Sequence, residues 1–293
     1  MYQDLLNGLY NVNNITTQQR KISYLQALQD HVKSLRRAFT VYPVAFDYTN
    51  NNIQASYLLT YFPHYTELLQ VALNKTNATI ANENINRLLL FGSGPCPEIV
   101  GYLKYLNQHN SNNQRTIHAN IYDIAATHWQ YSRNIVFQNI IPTLRNQSII
   151  NHSANDLRID NPFGNVNLAQ EKTIVVFQNC LNEITEQRHQ TVIENFAKIY
   201  NALVRGSYII IIDLSEYDSV ISLITQIQQR LSNLPNATVI RSISEGGLNR
   251  QSGYADPIPF IREHLLTGIP YQVQNGLIPK RHIKFTYVIM KKR

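Results

Sequence analysis

From residue 87 onward, short apolar runs alternate with segments of helical period. Runs rich in β-branched, aromatic or leucine side chains predict strands, and they lie at residues 88–91, 116–122, 147–151 (ending near 155–156), 173–177, 208–212, 237–242 and 282–290. Helical periods fill most of the intervals. Strands that alternate with helices form a mostly parallel sheet covered on both faces. The pattern therefore predicts an α/β fold.

The first part of the chain has a different pattern, because only helical periods occur before residue 80. One amphipathic helix is predicted over residues 21–39, and a second helical region over 53–73, interrupted at Pro63. We therefore divide the chain into an N-terminal helical region, 1–80, and a larger domain, 81–293. The dense aromatic residues of 57–65 are interpreted as core side chains, with a substrate-facing wall as the alternative.

Composition narrows the class of protein. No apolar run in the 293 residues is long enough to span a membrane, and the first residues lack the features of a secretion signal, so we expect a cytoplasmic protein without membrane contact. Two cysteines, Cys96 and Cys180, make neither a disulfide framework nor a metal site. The net charge of +7 permits binding to RNA, although the basic residues form only short clusters such as Arg36-Arg37 and Lys280-Arg281.

A glycine turn joins the first predicted strand to the helix that follows it. The apolar run 88–91 leads directly into Gly92, Ser93 and Gly94, and a helical period begins near Glu98. Strand, glycine turn and helix is the arrangement in which backbone N–H groups and a helix N-terminus approach a ligand closely. The alternative is an ordinary connection between a strand and a helix, with no ligand.

The sequence Leu-Leu-Leu-Phe-Gly-Ser-Gly-Pro-Cys-Pro at 88–97 resembles motif I of class I (Rossmann-like) S-adenosylmethionine-dependent methyltransferases, Asp/Glu-x-Gly-x-Gly-x-Gly. Leu90 stands where that family has its acid, and Cys96 where it has its third glycine. Residues 55–65 resemble the corresponding segment of Rsm22-like, ribosome-associated methyltransferase-type proteins, although the cysteine cluster of that group is absent. The resemblance implies a seven-stranded, mostly parallel sheet with an antiparallel last strand.

A dehydrogenase-type Rossmann domain is the competing α/β fold. It gives no reason for a long strand at the end of the chain, such as the one predicted over 282–290. Its ribose-binding acid also lies about 20 residues beyond the glycines, whereas Asp123 comes later in this chain. The methyltransferase interpretation is therefore preferred.

By the same resemblance, the turn formed by Gly92, Ser93 and Gly94 would approach the methionine part of S-adenosylmethionine. Cys96 would narrow the pocket there and perform no chemistry, since no His or Lys adjoins it to lower its pKa. We expect Cys96 and Cys180 to lie close together and reduced, at the carboxyl ends of neighbouring strands.

Three further residues would bind the cofactor if the resemblance holds. Asp123 would accept hydrogen bonds from the ribose hydroxyls, with a helix N-cap as the alternative. Asp156 would contact the adenine amino group, or is a plain loop acid. Asn179 would support the cofactor by hydrogen bonds, and Glu183 is either a general base or a structural acid. No catalytic residue is identified.

The sequence thus predicts methyl transfer from S-adenosylmethionine to an unidentified acceptor, either RNA or a small molecule. The alternative is a catalytically degenerate, methyltransferase-like binding protein, which the departures at Leu90 and Cys96 suggest. Residues 244–281 form a long insertion before the last strand and are predicted to be a substrate lid. Within it, Arg250, Arg262 and His264 are candidates for binding an anionic substrate.

Overall fold

The computed structural model describes residues 1–83, 85–109, 115–144, 149–157, 159, 171–243, 251–266 and 282–293. The helices within these ranges are α1 (Tyr2–Val12), α2 (Gln18–Ala27), α3 (Gln29–Ala38), α4 (Asn51–Thr60), α5 (Phe62–Asn74), α6 (Thr79–Asn82), α7 (Pro97–His109), α8 (Gln130–Asn139), α9 (Ile141–Leu144), α10 (His189–Ala202), α11 (Asp218–Ser232) and α12 (Pro259–Ile261). Short 3₁₀ turns span Leu181–Glu183 and Glu186–Arg188, and a π-helical turn spans Arg262–Leu266.

The strands are β1 (Arg87–Phe91), β2 (Thr116–Asp123), β3 (Ile149–Asp156), β4 (Thr173–Gln178), β5 (Tyr208–Leu214), β6 (Ala237–Arg241), β7 (Gln251–Tyr254) and β8 (His282–Lys292). Seven of them follow the order β3-β2-β1-β4-β5-β8-β6, and β7 pairs with β8 outside this order. Strands β1 to β5 pair in parallel, and β8 runs antiparallel to β5, β6 and β7. The predicted sheet and its antiparallel last strand are confirmed.

The sheet separates two apolar layers, and β1 shows how the sequence divides them. Successive side chains of a strand point to opposite faces. Leu88 and Leu90 therefore pack with the N-terminal helices, α7 and α8, whereas Leu89 and Phe91 pack with α10 and α11. All four side chains are almost completely buried, and each contributes about 1.5–3 kcal/mol relative to exposure. Burial on both faces explains why this strand is apolar throughout.

The N-terminal region differs from its prediction in one respect. The helix predicted over 21–39 is two helices, α2 and α3, which meet at Leu28. The second region breaks at Tyr61 as predicted, because Pro63 occupies the first turn of α5, where a missing N–H costs nothing. The boundary at residue 80 stays a prediction. Of the helices that the structure describes, none is both long and apolar enough to cross a membrane.

Candidate functional site

The carboxyl ends of β1, β2 and β4 meet at a cavity of about 240 Å³. In an open parallel sheet, ligands bind beyond the carboxyl ends of the strands. The cavity is lined by the turn after β1, by the end of β2, by the residues after β3 and β4, and by the segment that joins α3 to α4. Four of the seven residues predicted to bind the cofactor line it: Gly92, Gly94, Asp123 and Asn179.

Gly92 and Gly94 are required by the geometry of the turn. Both adopt a left-handed conformation, with φ of 64° and 45°, which glycine adopts without steric cost. A Cβ on Gly92 would lie 2.1 Å from the Cβ of Cys180, and a Cβ on Gly94 would lie 2.9 Å from the Trp129 ring. The turn thus brings backbone to the edge of the cavity, at a point where no side chain fits.

Cys96 lies below this turn and not in the cavity, which corrects the expectation that its thiol narrows the pocket. Its side chain is fully buried in the apolar layer on the side of the N-terminal helices, and its backbone N–H donates to the Ser93 carbonyl at 2.7 Å. Cys180 is the thiol that lines the cavity. Both cysteines are free, and burial raises the pKa of both thiols. They act as small apolar side chains. That Cys96 contributes to cofactor binding stays a prediction.

Asp123 ties the end of β2 to the glycine turn. Its Oδ2 accepts the Gly94 N–H at 3.0 Å, and its Oδ1 accepts the Ala125 N–H at 2.9 Å. Burial raises the pKa of this carboxyl group, although the two N–H groups oppose the shift. Because each carboxylate oxygen accepts more than one hydrogen bond, Asp123 keeps acceptor capacity toward the cavity, which it lines. The bond to Ala125 is a local turn contact and not the helix N-cap considered as the alternative, because α8 begins at Gln130 with Trp129 as its N-cap.

Asp156 is exposed at the end of β3. Its Oδ1 accepts the backbone N–H of Thr127 at 3.0 Å, and its Oδ2 accepts the Thr127 hydroxyl at 3.1 Å. The next residue, Leu157, lines the cavity, and Asp156 does not. The structure therefore gives Asp156 a local role in the turn before α8. Contact with an adenine group stays a prediction.

Asn179 is the clearest polar group without a partner in the cavity. Its backbone is left-handed, with φ of 53°, and its N–H donates to the Ile212 carbonyl at 2.9 Å. Its side-chain amide is buried, yet neither the oxygen nor the nitrogen has a hydrogen-bond partner among the described residues. Leaving such groups unpaired costs about 1–3 kcal/mol each. The amide is therefore placed to bind a polar ligand.

Asp213, the penultimate residue of β5, holds the turn that follows β4. It is completely buried. Its Oδ2 accepts the Leu181 N–H at 2.8 Å and its Oδ1 accepts the Leu214 N–H at 2.7 Å. Burial raises its pKa to about 7, while the N–H groups around it act in the opposite direction. The sequence analysis missed this role. The available signal was an acid at the end of the most apolar strand.

An aromatic wall forms the other side of the cavity, and we define it as Phe46, Tyr48, Tyr57 and Trp129. The ring centroids of Tyr48 and Trp129 are 4.7 Å apart, and those of Tyr57 and Trp129 are 5.3 Å apart. Of the aromatic residues that the sequence grouped together at 57–65, only Tyr57 is among the described residues lining the cavity. The others are buried in the core.

The segment between α3 and α4 supplies Phe46 and Tyr48, which the sequence analysis did not identify. It is held against the turn after β4, because the Val44 N–H donates to the Asn182 carbonyl at 2.9 Å. The Tyr48 hydroxyl then lies 3.4 Å from Glu183 Oε1. The Tyr48 ring and the Glu183 carboxyl group are thereby held next to each other at the cavity.

Comparisons with known proteins find similarity among solved structures, at low sequence identity. No protein-family model matches the chain, and a search of the curated proteins finds no match. Solved structures that are similar include the plantazolicin methyltransferase BamL in complex with a triazolic desmethylPZN analog and SAH (13% identity, 92% of this chain and 99% of that chain, TM-score 0.44). They also include the N-methyltransferase NodS from Bradyrhizobium japonicum in complex with S-adenosyl-L-homocysteine (8%, 76% and 85%, TM-score 0.39).

Because these TM-scores lie below 0.5, the assignment of the fold rests on the sheet itself. Five parallel strands are followed by β6 and by an antiparallel β8 inserted between β5 and β6. The chain has the class I methyltransferase fold. The resemblance of residues 55–65 to the ribosome-associated group has no support in these comparisons and stays a prediction.

Within this methyltransferase fold, a buried acid lies beneath the glycine turn although β1 carries Leu90 in place of an acid. Glu98, in the first turn of α7, is 1% exposed, and the Ser93 hydroxyl donates a hydrogen bond to its Oε2. Burial raises the pKa of Glu98 to about 8, and the hydrogen bond from Ser93 opposes the shift. Ser93, one of the predicted cofactor-binding residues, is itself buried and engaged with this carboxyl group.

We expect the free energy of unfolding of Glu98→Gln, relative to that of the native chain, to increase as pH rises. The ordinary pKa of the carboxyl group is 4.5 and its folded value about 8, so between these values the folded state holds a proton that the unfolded chain has released. Stability therefore falls as pH rises through this window, by roughly 1.4 kcal/mol per unit for the one group, and glutamine removes that loss.

Urea unfolding at pH 5, 6.5 and 8 measures the difference between the variant and the native chain. Glu171→Gln, at an exposed position just before β4, is the control and should show no comparable trend. A Glu98→Gln difference that stays constant between pH 5 and 8 contradicts the assignment.

The basic residues predicted to bind an anionic substrate lie elsewhere in the methyltransferase fold. Arg262 pairs with Asp256 at 2.6 Å, and His264 packs edge-on against Phe260; neither lines the cavity. Arg36 is 4% exposed and lies over the Tyr61 ring, 4.7 Å from its centroid, so it is not part of an exposed phosphate-binding face. Arg250, Lys280, Arg281 and most of the predicted lid fall outside the described residues.

Proposed function

We propose that the chain binds S-adenosylmethionine in the cavity at the carboxyl ends of β1, β2 and β4, and transfers its methyl group to an acceptor held in the same cavity. The observation that carries this proposal is the unpartnered Asn179 amide, which lines the cavity together with the close backbone of Gly92 and Gly94. A polar ligand that forms hydrogen bonds with the Asn179 amide and packs against the glycine backbone would account for both observations.

Three parts of the chain would hold the cofactor. The turn at Gly92 and Gly94 would lie against the methionine portion, because both glycines line the cavity and present backbone without side chains. Asp123 lines the cavity with acceptor capacity for the ribose hydroxyls. Asn179 offers one donor group and one acceptor group. When bound, the sulfonium group supplies an electrophilic methyl group.

The chain's own contribution to the reaction would be alignment. The aromatic wall and the Cys180 side chain enclose the cavity, exclude water and limit the positions that an acceptor can take. Holding two reactants in line supplies much of the acceleration of such a displacement. A general base is needed only where the acceptor atom must lose a proton to become the nucleophile.

Calorimetric titration with S-adenosylmethionine and with S-adenosylhomocysteine tests the binding. We expect both to bind, and Asn179→Ala to weaken both by about 5- to 150-fold, which corresponds to about 1–3 kcal/mol of lost hydrogen bonding. Asn182→Ala is the matched control, because Asn182 also has a buried side-chain amide without a partner among the described residues but does not line the cavity.

At 100 times the dissociation constant, either ligand should add about 2.7 kcal/mol to the free energy of unfolding, measured as a thermal shift. Absence of both heat and thermal shift in folded protein would remove S-adenosylmethionine as the ligand. Equal losses for Asn179→Ala and Asn182→Ala would show that the Asn179 amide is not the contact.

A further inference from the structure

Gln54, near the start of α4, has a buried amide whose hydrogen-bonding groups are all used. The residue is completely buried. Its Nε2 donates to the Tyr48 carbonyl at 2.8 Å and to the His128 carbonyl at 2.7 Å. Its Oε1 accepts the backbone N–H of Ser132 at 3.2 Å and the Ser132 hydroxyl at 2.9 Å. A glutamine amide offers two donors and two acceptor sites, and Gln54 therefore joins three segments of the chain at full capacity.

The partners of Gln54 select an amide at this position. Two carbonyl oxygens, which can only accept, lie at one end of the side chain, and the two donor groups of Ser132 lie at the other. A glutamate would place an oxygen against both carbonyls. A methionine would leave both carbonyls and the Ser132 N–H without a partner, which is unfavourable for buried backbone groups. The identity of this residue is therefore set by groups outside its own helix.

One of these contacts completes the start of α8. The first N–H groups of a helix have no partner within the helix, and Trp129, the N-cap of α8, forms no side-chain hydrogen bond to them. The Ser132 N–H belongs to this first turn, and Gln54 accepts its hydrogen bond instead. The start of α8 is thus held by a side chain of α4, which is distant in sequence.

The start of α8 carries two side chains that act on the candidate cofactor site. The Trp129 ring packs on the glycine turn, where a Cβ on Gly94 would lie 2.9 Å from it. It also packs against Tyr48, with ring centroids 4.7 Å apart, and both rings line the cavity. Burial raises the pKa of Asp123, and Arg133 and the Trp129 side chain are among the groups that oppose this shift. Both side chains therefore act on the acid that would bind the ribose.

On the basis of the proposed function, we infer that Gln54 is a positioning residue of the cofactor site. It holds the start of α8 next to the Tyr48 backbone, and thereby fixes the Trp129 ring against the glycine turn and beside Asp123. Gln54 is not among the described residues that line the cavity, so its amide does not touch the ligand. Its effect on cofactor binding is transmitted through Trp129.

Gln54→Met tests the inference, because methionine keeps the length of the side chain and removes every hydrogen bond. We expect this variant to bind S-adenosylhomocysteine about 10-fold more weakly in calorimetric titration, because a site that is not preorganised must be ordered when the ligand binds. Trp129 is the chain's one tryptophan and is 3% exposed. Its fluorescence should shift to longer wavelength and become easier to quench with acrylamide.

Thr76→Val is the matched control for the loss of a buried hydrogen bond. The Thr76 hydroxyl donates to the Leu73 carbonyl at 2.7 Å in a buried position, and Thr76 does not line the cavity. This variant should lose stability in urea unfolding and change neither the affinity for S-adenosylhomocysteine nor the fluorescence. Affinity and fluorescence that stay native in Gln54→Met overturn the inference.

A double variant shows whether Gln54 acts through Trp129. In a Trp129→Leu background, Gln54→Met should weaken S-adenosylhomocysteine much less than it does in the native background, because the effects of coupled residues are not additive. The same loss in both backgrounds would show that Gln54 supports the fold in general, and would overturn the inference. Gln54→Glu keeps the acceptor toward Ser132 and, when protonated, one donor, so its affinity should fall between those of the native chain and Gln54→Met. It provides the test if Gln54→Met does not fold, and native affinity in Gln54→Glu would then contradict the inference.

The inference and the proposed function fail in different ways. If S-adenosylhomocysteine binds the native chain and Gln54→Met equally well, the cofactor site stands and the positioning role of Gln54 is excluded. If the native chain is folded but binds neither S-adenosylmethionine nor S-adenosylhomocysteine, the proposed function fails, and the role of Gln54 in cofactor binding fails with it.

Discussion

Replacing Gly92 with alanine should lower the free energy of unfolding by roughly 2–5 kcal/mol and abolish binding of S-adenosylhomocysteine. The left-handed φ of 64° costs a residue with a side chain about 1–2 kcal/mol. The added Cβ would also lie 2.1 Å from the Cβ of Cys180, and overpacking a rigid site costs about 1–3 kcal/mol more. Because both atoms are attached directly to backbone, the collision is relieved only by moving the turn. Thermal unfolding and calorimetry measure the two losses.

Gly206→Ala is the matched control. Gly206 also has a positive φ, of 88°, but its Cβ would meet the flexible side chain of Lys172, at 2.9 Å, so only the conformational cost of about 1–2 kcal/mol is expected. A second variant tests the collision directly: Cys180→Gly in the Gly92→Ala background should recover part of the lost stability, since it removes the atom that is struck. Equal losses at Gly92 and Gly206, with no recovery in the double variant, would contradict this account.

The central strands were predictable because burial on both faces leaves a signal in the sequence. In β5, every residue from Tyr208 to Leu214 is buried, and the part of the strand between the two apolar layers, residues 208–212, is apolar throughout. The glycine turn was predictable for a related reason, since Gly92 and Gly94 occupy positive φ beside rigid neighbours. In both cases the structural constraint, burial or positive φ, restricts which residue can stand at that position.

Edge strands leave a weaker signal. β3 ends at Asp156, near its predicted end, but its predicted run covers only 147–151. The strand lies at the end of the strand order, beside β2, and most of the side chains of its second half are exposed. Polar side chains at these exposed positions stay in water and carry no desolvation cost. The four residues of β7 were not predicted at all, because they have no alternating pattern and depend on pairing with β8. Pairing between distant segments is a property of the fold, not of the local sequence.

The candidate site divides in the same way. Asp123 and Asn179 were identified because Asp123 is the last residue of β2 and Asn179 directly follows β4, where a parallel sheet binds its ligands. Phe46 and Tyr48 were not, because the segment between α3 and α4 has no periodic pattern and reaches the cavity through a backbone bond from Val44 to Asn182. Cys96 was placed wrongly because sequence position gives the path of the turn but not the side on which a side chain lies.

The acid of motif I illustrates what a motif omits. Leu90 is fully buried on the side of the N-terminal helices, so its position belongs to the apolar layer that those helices complete. The buried carboxyl group beneath the turn comes instead from Glu98, which interacts with Ser93. A position-by-position comparison with motif I registers the missing acid at Leu90 but does not detect the buried acid at Glu98.

Replacing Asp213 with alanine should destabilise the chain by about 2–6 kcal/mol and weaken ligand binding. The carboxyl group accepts the N–H groups of Leu181 and Leu214 in a completely buried position, and each buried N–H that loses its acceptor costs about 1–3 kcal/mol. The turn that Asp213 holds carries Asn179 and Glu183 to the cavity, so its loss should disorder both. Urea unfolding measures the first effect, and calorimetry with S-adenosylhomocysteine the second.

Asp30→Ala provides the control for removal of an acid, because the Asp30 side chain is exposed and forms a surface pair with Lys33, which contributes about 0–1 kcal/mol. Asp213→Asn keeps one acceptor oxygen and presents an NH₂ group to the other N–H. It should therefore lose less stability than Asp213→Ala while still weakening binding, which keeps the test informative if the alanine variant does not fold. Binding that survives unchanged in Asp213→Asn would show that the turn holds its shape without this carboxyl group, and that Asn179 is positioned by the β4–β5 pairing and its own bond to Ile212.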